Sequence, residues 1–232
     1  MPLKIGLENG MEGRSIVWVL DYPGCFSYDR QPESALDALP SAIQEYNQWL
    51  LGHGKDSWTI PPEPEPLIDS TWEVYHIDED YLVSESGYEV NAWFQDDWRP
   101  LSKTEVKRGI DLLRLTRKDL LSTIIGIDED ALHKKPPAGG WSIARILNHV
   151  GNADWWYLDR LGLAFPQDEM ELETFHHLEN VRNYLVKTLL SLAGSQRVVG
   201  TDGEFWSPRK LLRRAVWHER DHTFQIKELL AY

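Results

Sequence analysis

The spacing of apolar residues along the chain changes character near residue 100. Before it, short β-type runs cover residues 3–7 and 15–20, joined by a glycine-containing turn. After it, apolar positions recur in steps of three and four over four segments of about twenty residues each. The pattern therefore predicts an α+β protein, with a β-rich first domain over residues 1–98 and a four-helix bundle over residues 99–232.

The first domain is predicted to hold one helix among short strands. A Pro-Gly turn precedes a third strand, and an amphipathic helix then opens at Pro32 and runs to about Leu51. A proline-rich stretch at residues 61–66 predicts an extended connection. Residues 71–95 are rich in β-formers broken by acidic turns, which indicates two or three further strands.

Start signals mark the helices of the second domain. Ser102 and Glu105 have the spacing of a capping box, and Ser207-Pro208 has the pattern of an N-cap followed by a first-turn proline. The predicted helices start at Ser102, at residues 139–142, at about Asp168 and at Ser207, and the first three run to about Ile125, Leu161 and Leu192.

Composition places the chain among globular proteins. It has 232 residues, of which 42% are hydrophobic and 26% charged. The single cysteine, Cys25, excludes an internal disulfide bond. No apolar run reaches the length of a membrane span, and the first residues lack the apolar block of a signal peptide. We therefore expect a cytoplasmic protein without a membrane partner.

The net charge of −13 is unevenly distributed. Residues 1–100 hold 5 basic against 19 acidic side chains, whereas residues 101–232 hold 19 basic against 18 acidic side chains. Binding to nucleic acid needs clustered lysine and arginine to neutralise phosphates. An acidic first domain therefore argues against a nucleic-acid partner, and the asymmetry indicates two units with different histories.

Three histidines form the main candidate site. His218 and His222 lie four residues apart in the predicted last helix, so their rings project from one face about one turn apart. His149 occupies a comparable place in the second helix. Three inward imidazoles predict a divalent metal site, with zinc or nickel as the suitable ion and at least one coordination position open. The alternative is that these are core histidines held by hydrogen bonds. The same apolar stripe continues at Leu211, Ala215, Ile226 and Leu229.

Two acidic residues near these histidines are candidate catalytic groups. Glu219 follows His218 directly, and Asp154 lies five residues after His149. Asp154 is a candidate general base, and Glu219 is a candidate partner that orients an imidazole through its N–H. A solvated surface charge is the alternative for Glu219, and a buried or helix-end salt bridge is the alternative for Asp154.

Arg145 and Arg220 are candidates for binding the carboxylate of a small cofactor, because guanidinium groups pair with carboxylates through two hydrogen bonds. Exposed helix arginines are the alternative. The adjacent His176 and His177 diverge around a helix and are expected at the surface.

Four sequence motifs of the second domain resemble the DinB/YfiT-like metalloprotein superfamily, over about residues 101–230. This resemblance implies a four-helix bundle whose divalent metal is held by three histidines, which correspond here to His149, His218 and His222. It also implies a small-molecule substrate and a low-molecular-weight thiol as cofactor, since members include thiol-dependent S-transferases. The motifs are GWSI at 140–143, ILNHV at 146–150, DWWY at 154–157 and WHERDHT at 217–223.

The first quarter of the chain, residues 1–60, resembles the small ββαβ domain of HicB-type antitoxins. This resemblance implies a protein partner that binds the acidic domain. A helical DNA-binding tail follows in many HicB proteins, whereas the proline-rich stretch follows here, so repressor activity is not expected. The motifs are YPGCFS at 22–27, PESAL at 32–36 and AIQEY at 42–46.

Two hypotheses of function follow. The first is a metal-dependent enzyme, a thiol transferase or hydrolase that activates a small thiol or water at the three-histidine site. The second is a non-catalytic binding or regulatory protein, in which the acidic domain engages a protein partner and the metal is structural. A homodimer is compatible with both.

Overall fold

The computed structural model describes residues 2–62, 64–136 and 139–231, and its contacts divide the chain into two units. The first is built around β-sheet and the second around helices, so the chain is an α+β protein. Unit 1 consists of Met1–Arg99 and Val198–Arg213, and unit 2 consists of Pro100–Arg197 and Arg214–Tyr232.

The helices and strands follow one another in this order: β1 (Leu3–Met11), β2 (Arg14–Val19), β3 (Phe26–Asp29), α1 (Pro32–Asp37), α2 (Leu39–Gly52), β4 (Pro66–Glu73), β5 (His76–Ile77), β6 (Val83–Ser84), β7 (Tyr88–Glu89), α3 (Lys103–Thr123), α4 (Glu129–His133), α5 (Ile143–Arg160), α6 (Thr174–Ser191), β8 (Val199–Thr201), β9 (Glu204–Trp206) and α7 (Pro208–Leu230).

A four-stranded sheet in the order β3-β2-β1-β4 forms the centre of unit 1. The hairpin of β1 and β2 turns through Glu12 and Gly13, which both have positive φ angles. Strand β4 pairs with β1 in the parallel direction. The three strands predicted before residue 30 are therefore confirmed. The proline-rich stretch ends where β4 begins, at Pro66.

The single helix predicted from Pro32 to Leu51 is wrong, because two helices occupy this region. Helix α1 ends at Asp37 and α2 begins at Leu39, with a proline in its first turn. Pro40 has no amide hydrogen, and its ring excludes the carbonyl group four residues earlier, so a continuous helix is blocked here. The strands predicted within residues 71–95 are confirmed as β5, β6 and β7, which form a separate sheet in the order β6-β5-β7.

Residues 198–213 belong to unit 1, although the predicted second domain includes every residue after 98. Strands β8 and β9 pair antiparallel, and the first turns of α7 up to Arg213 lie in unit 1 with them. Local periodicity does not reveal this return, because it depends on contacts with residues more than a hundred positions earlier. One such contact is the 2.8 Å ion pair of Arg213 with Asp97.

The long helices α3, α5, α6 and the part of α7 in unit 2 pack around one apolar core, to which all four contribute. Helix α6 starts at Thr174, six residues after the predicted start at Asp168. The reason is a side-chain cap, since the Glu173 carboxylate accepts hydrogen bonds from the Phe175 and His176 amides. Core members include Leu120, Ile146, Leu147, Leu178 and Ile226.

Among the described residues, no helix combines the length and the apolar character that crossing a membrane requires.

Candidate metal centre

Two capped helices carry the three histidines. The Ser142 hydroxyl accepts a hydrogen bond from the Arg145 amide and fixes the start of α5, which carries His149. Ser207 caps α7 in the same way by accepting from the Lys210 amide, as predicted. The apolar faces of both helices turn inward with the core. The histidines on those faces therefore meet inside unit 2.

The three imidazoles converge through their Nε2 atoms. The Nε2 of His218 lies 3.0 Å from that of His149 and 3.0 Å from that of His222. All three donor atoms lie within 4.8 Å of one another. Nitrogens bound at about 2.0–2.1 Å to one tetrahedral zinc ion are roughly 3.3 Å apart, so the observed spacing fits three ligands of a single ion.

Two local effects keep these imidazoles ready to accept a metal. The His222 Nδ1–H donates to the Gln225 side-chain oxygen at 2.8 Å, which leaves the Nε2 lone pair free. Burial holds the pKa of His218 well below its usual value of 6.5, and the charges of His222 and His149 act in the same direction. His218 is therefore neutral at neutral pH, which is the form that binds metals.

Aromatic rings surround the histidines. The Trp141 ring stands edge-on to His149 at 4.9 Å between centroids. Tyr157 and Trp217 lie 6.1 and 5.9 Å from His218. Such walls suit an apolar substrate surface beside the donor atoms.

Glu219 and Asp154 lie in a buried network of ion pairs, so the interpretation of Glu219 as a solvated surface charge is wrong. Glu219 is 0% exposed and Asp154 is 2% exposed. Both carboxylates bind the same two arginines, Arg117 and Arg182. Asp154 thus forms the buried salt bridge that was the alternative for it, and a catalytic role for either residue stays a prediction.

The two carboxyl groups respond differently to this environment. Burial raises the pKa of Asp154, and the nearby Arg182 and Arg117 only partly oppose it. Burial also acts to raise the pKa of Glu219, but Arg182, Arg117 and the hydrogen bond from Thr116 outweigh it and lower the pKa. Glu219 is therefore ionised at neutral pH.

The two candidate cofactor-binding arginines differ in exposure. Arg145 is exposed, and its guanidinium group stacks over the Trp141 ring at 4.5 Å. Arg220 is only 4% exposed, and its guanidinium group lies 5.4 Å from the Phe224 ring. Arg145 is thus available to a ligand at the surface, whereas Arg220 is not an exposed helix arginine. Binding of a thiol cofactor by either stays a prediction.

His177 is buried, so the prediction that both adjacent histidines lie at the surface is wrong for it. Its Nε2 lies 3.0 Å from the Asn152 side-chain oxygen. A Cβ atom on Gly151 would come within 2.5 Å of the His177 ring, so only glycine allows this close approach of α5 and α6. His176 is exposed, as predicted.

Sequence reasoning missed three side chains of this region. Gln225 follows His222 by three residues, and that helical spacing alone is a usable signal. The signal for Arg117 and Arg182 is weaker. Each is a charged residue close in sequence to a core position, Leu120 for Arg117 and Val181 for Arg182.

A family model and solved structures match part of this chain. Residues 112–226 match the family model of the DinB superfamily. No curated protein matches. The chain is similar to TT2238, a four-helix bundle protein with a crystal structure (21% identity, 55% of this chain and 99% of that chain, TM-score 0.42). It is also similar to YfiT from Bacillus subtilis, described as a probable metal-dependent hydrolase with an unusual four-helix bundle topology (18% identity, 58% and 93%, TM-score 0.45). The HicB-like interpretation of residues 1–60 stays a prediction.

Proposed function

We propose that the protein, which carries a DinB superfamily segment at residues 112–226, is a metal-dependent enzyme. In this proposal His149, His218 and His222 hold one zinc or nickel ion. The observation that carries it is the convergence of the three Nε2 atoms at 3.0 Å spacings. Three imidazoles without a thiolate or carboxylate in the group match the ligand preference of these borderline ions.

A divalent ion held by three protein ligands supplies a Lewis acid with an open position for a small thiol or water. The residues of the chain prepare that position. Gln225 sets the proton on Nδ1 of His222, and the buried surroundings keep His218 neutral. The rings of Trp141, Tyr157 and Trp217 offer an apolar surface to the substrate.

The most specific form of the proposal is an S-transferase. A low-molecular-weight thiol loses its proton, its sulfur bonds to an electrophilic carbon of the substrate, and the leaving group departs with its electron pair. Arg145 is the candidate for binding a carboxylate of the thiol, because it is exposed on the ring that contacts His149. Arg220 is buried and is the weaker of the two candidates. Hydrolysis differs only in the nucleophile, which is then water.

Metal content tests the proposal first. Untagged protein purified without added metal is expected to hold about one ion per chain by elemental analysis. His149→Ala and His218→Ala are expected to abolish binding, whereas His176→Ala, at an exposed histidine of the same unit, retains it. Loaded protein is then assayed with thiol and electrophile pairs. A parent protein that takes up neither zinc nor nickel would refute the proposed metal-dependent function.

The charge distribution favours a second candidate, a binding protein with a structural metal. Unit 1 holds 8 basic against 21 acidic residues, a net charge of −13, whereas unit 2 holds 16 of each. Unit 1 also contains an apolar groove of about 630 Å³. A basic partner with apolar anchors suits such a surface, and two acidic copies of unit 1 repel each other. Lining residues include Leu36, Leu39, Ile43, Leu51, Pro62 and Pro66.

The second candidate predicts a protein that binds metal without turnover and that holds a basic protein in a salt-sensitive complex. Charge reversals at the exposed Asp37 and Glu65, which are sequence neighbours of the lining residues Leu36 and Pro66, are expected to release that partner and leave the metal in place. Turnover with a thiol and an electrophile, lost in His218→Ala, would decide for the enzyme instead.

A further inference from the structure

Four charged side chains meet in the interior of unit 2, one from each long helix. They are Arg117 of α3, Asp154 of α5, Arg182 of α6 and Glu219 of α7, and we refer to them as the four-charge cluster. Their side chains are 12%, 3%, 6% and 1% exposed. Two positive and two negative charges cancel, so the cluster carries no net charge into the core.

Arg182 bridges the two carboxylates. Its Nε donates to Asp154 at 2.8 Å, and its Nη1 donates to Glu219 at 2.7 Å. Arg117 repeats the pattern, since its Nε donates to Glu219 and its Nη2 donates to Asp154 at 3.4 Å. The two arginines also donate to backbone carbonyls, Arg182 to Leu113 and Arg117 to Leu178. Helices α5 and α7 are thereby cross-linked through α3 and α6.

These cross-links act on the two helices that carry the proposed metal ligands. Glu219 is the residue after His218, and Asp154 follows His149 by five residues, a rise of about 7.5 Å along the helix. We propose that the four-charge cluster is a positioning device for the metal centre. It sets the register of α5 against α7 that brings His149 Nε2 to 3.0 Å from His218 Nε2. This inference rests on the proposed metal-dependent function.

Stability alone gives no reason for charges at these positions. The cost of removing ions from water offsets most of their attraction, and apolar side chains of similar volume stabilise a core as well or better. What the arginines add is direction, because a planar guanidinium group donates along fixed axes. A metal centre needs that accuracy, since ligand distances within about 0.2 Å decide whether an ion is held.

The cluster is not itself the reactive site. Arg182 and Arg117 occupy both carboxylates, and the bridging groups are almost fully buried. Asp154 and Glu219 are therefore positioning residues that act through the histidines of their own helices.

Metal affinity of folded variants tests the inference. Arg182→Lys keeps the charge but removes the two-carboxylate fork, and Asp154→Asn keeps the shape but removes one anion. Zinc affinity is measured by competition with a chromophoric chelator, and the cobalt(II)-loaded proteins give a visible absorption spectrum that reports ligand geometry. Each variant is expected to bind zinc about tenfold or more weakly and to shift the cobalt bands.

Asp97→Asn is the matched control. Asp97 forms the buried 2.8 Å ion pair of unit 1 with Arg213, and the carboxylate is only 1% exposed. The same chemical change is made there in a buried ion pair of the other unit. The control is expected to lose stability while keeping the zinc affinity and the cobalt spectrum of the parent.

Each outcome decides one point. Parent-like zinc affinity in folded Arg182→Lys and Asp154→Asn overturns the positioning role and leaves an ordinary ion-pair network. An equal loss of affinity in Asp97→Asn also overturns it, because general destabilisation then explains the effect. If Arg182→Lys does not fold, Asp154→Asn decides alone. A parent that binds no metal refutes the proposed function itself, which is a separate and recognisable result.

Discussion

The two units of this protein bury positive charge in different ways. In unit 1, Lys210 is 0% exposed, donates to the carbonyl groups of Asn91 and Phe205, and lies 4.3 Å from the Trp206 ring. Arg213 likewise lies near the rings of Trp18 and Phe94, at 4.9 and 4.6 Å, besides its carboxylate partner Asp97. Rings accept a cation over a broad area, so these contacts tolerate small displacements.

Unit 2 also buries arginines beside rings, with Arg214 4.8 Å from Trp217 and Arg220 5.4 Å from Phe224, but it adds a network of reciprocal ion pairs. Arg117 and Arg182 each bind the same two carboxylates, so a shift of any one helix disturbs several directional hydrogen bonds. The tolerant arrangement occurs in both units, whereas the reciprocal network described here lies in the unit that brings three Nε2 atoms together. The comparison indicates that directional hydrogen bonds between charged groups occur in the unit where ligand atoms must converge. The following changes test this interpretation.

The largest effect is expected from filling the tightest helix and strand contacts. A Cβ atom on Gly6 would lie 2.7 Å from the Phe94 ring in unit 1, and one on Gly151 would lie 2.5 Å from His177 in unit 2. Gly6→Ala and Gly151→Ala are each expected to lower the free energy of unfolding by about 1–3 kcal/mol, because a buried neighbour must shift. Urea unfolding measures this.

Zinc affinity is expected to distinguish the glycine variants of the two units. Gly151 is two residues from His149, so Gly151→Ala is expected to weaken zinc binding, whereas Gly6→Ala is not. Gly52→Ala is the control, because a Cβ atom there meets nothing within 4 Å. Equal zinc affinity in all three variants would contradict the link between helix spacing and ligand spacing.

A smaller effect on the free energy of unfolding is expected from a change of pH, and its source is a buried histidine of unit 2. Burial lowers the pKa of His177 below its usual value of 6.5. The unfolded chain therefore binds more protons as pH falls below about 6.5, and the free energy of unfolding decreases by at most about 1.4 kcal/mol per pH unit for this one group. Urea unfolding between pH 7.5 and 5.5 with a chelator measures the slope.

Two neighbouring substitutions isolate this effect. His177→Asn removes the titrating ring and is expected to reduce the slope, while His176→Asn changes an exposed ring and leaves the slope as it is. An unchanged slope in His177→Asn would show that the buried imidazole does not account for the acid sensitivity.

The sequence allowed the ligand-bearing helices to be predicted, because their signals are local. The periodic apolar faces of α5 and α7, the start signal at Ser207-Pro208 and the four-residue spacing of His218 and His222 are all local to single helices. Grouping His149 with the other two rested on its inward place in another helix and on the resemblance to the DinB/YfiT-like superfamily, since its partners are 69 or more residues away.

The four-charge cluster and the return of residues 198–213 to unit 1 were not predictable in this way. Arg182 meets Glu219 across 37 residues, and Arg117 meets it across 102 residues. A charged residue beside core positions indicates burial only once its partner is known. The break between α1 and α2 could have been predicted from the sequence, because Pro40 by itself blocks a continuous helix.

The smallest effect concerns the starts of the helices, where α3 of unit 2 differs from α1 and α2 of unit 1. The Ser102 hydroxyl accepts from the Glu105 amide at 3.2 Å, and the Glu105 carboxylate accepts from the Ser102 amide at 2.8 Å, so α3 has a full capping box. Gln31 and Ala38, the N-caps of α1 and α2, make no side-chain capping hydrogen bond. Ser102→Ala is therefore expected to cost about 1 kcal/mol, whereas Gln31→Ala costs close to nothing.

Hydrogen exchange read by mass spectrometry distinguishes the two helices within one chain. A loss of about 1 kcal/mol corresponds to roughly fivefold faster exchange of the amides in the first turns of α3 if opening there is local. The amides of α1 should exchange at the parent rate in both variants, because no capping bond is removed there. If Ser102→Ala accelerates exchange at the start of α3 no more than Gln31→Ala does at the start of α1, the cap at Ser102 contributes no more than an uncapped start. The contrast between the capped start of α3 and the uncapped starts of α1 and α2 would then not hold.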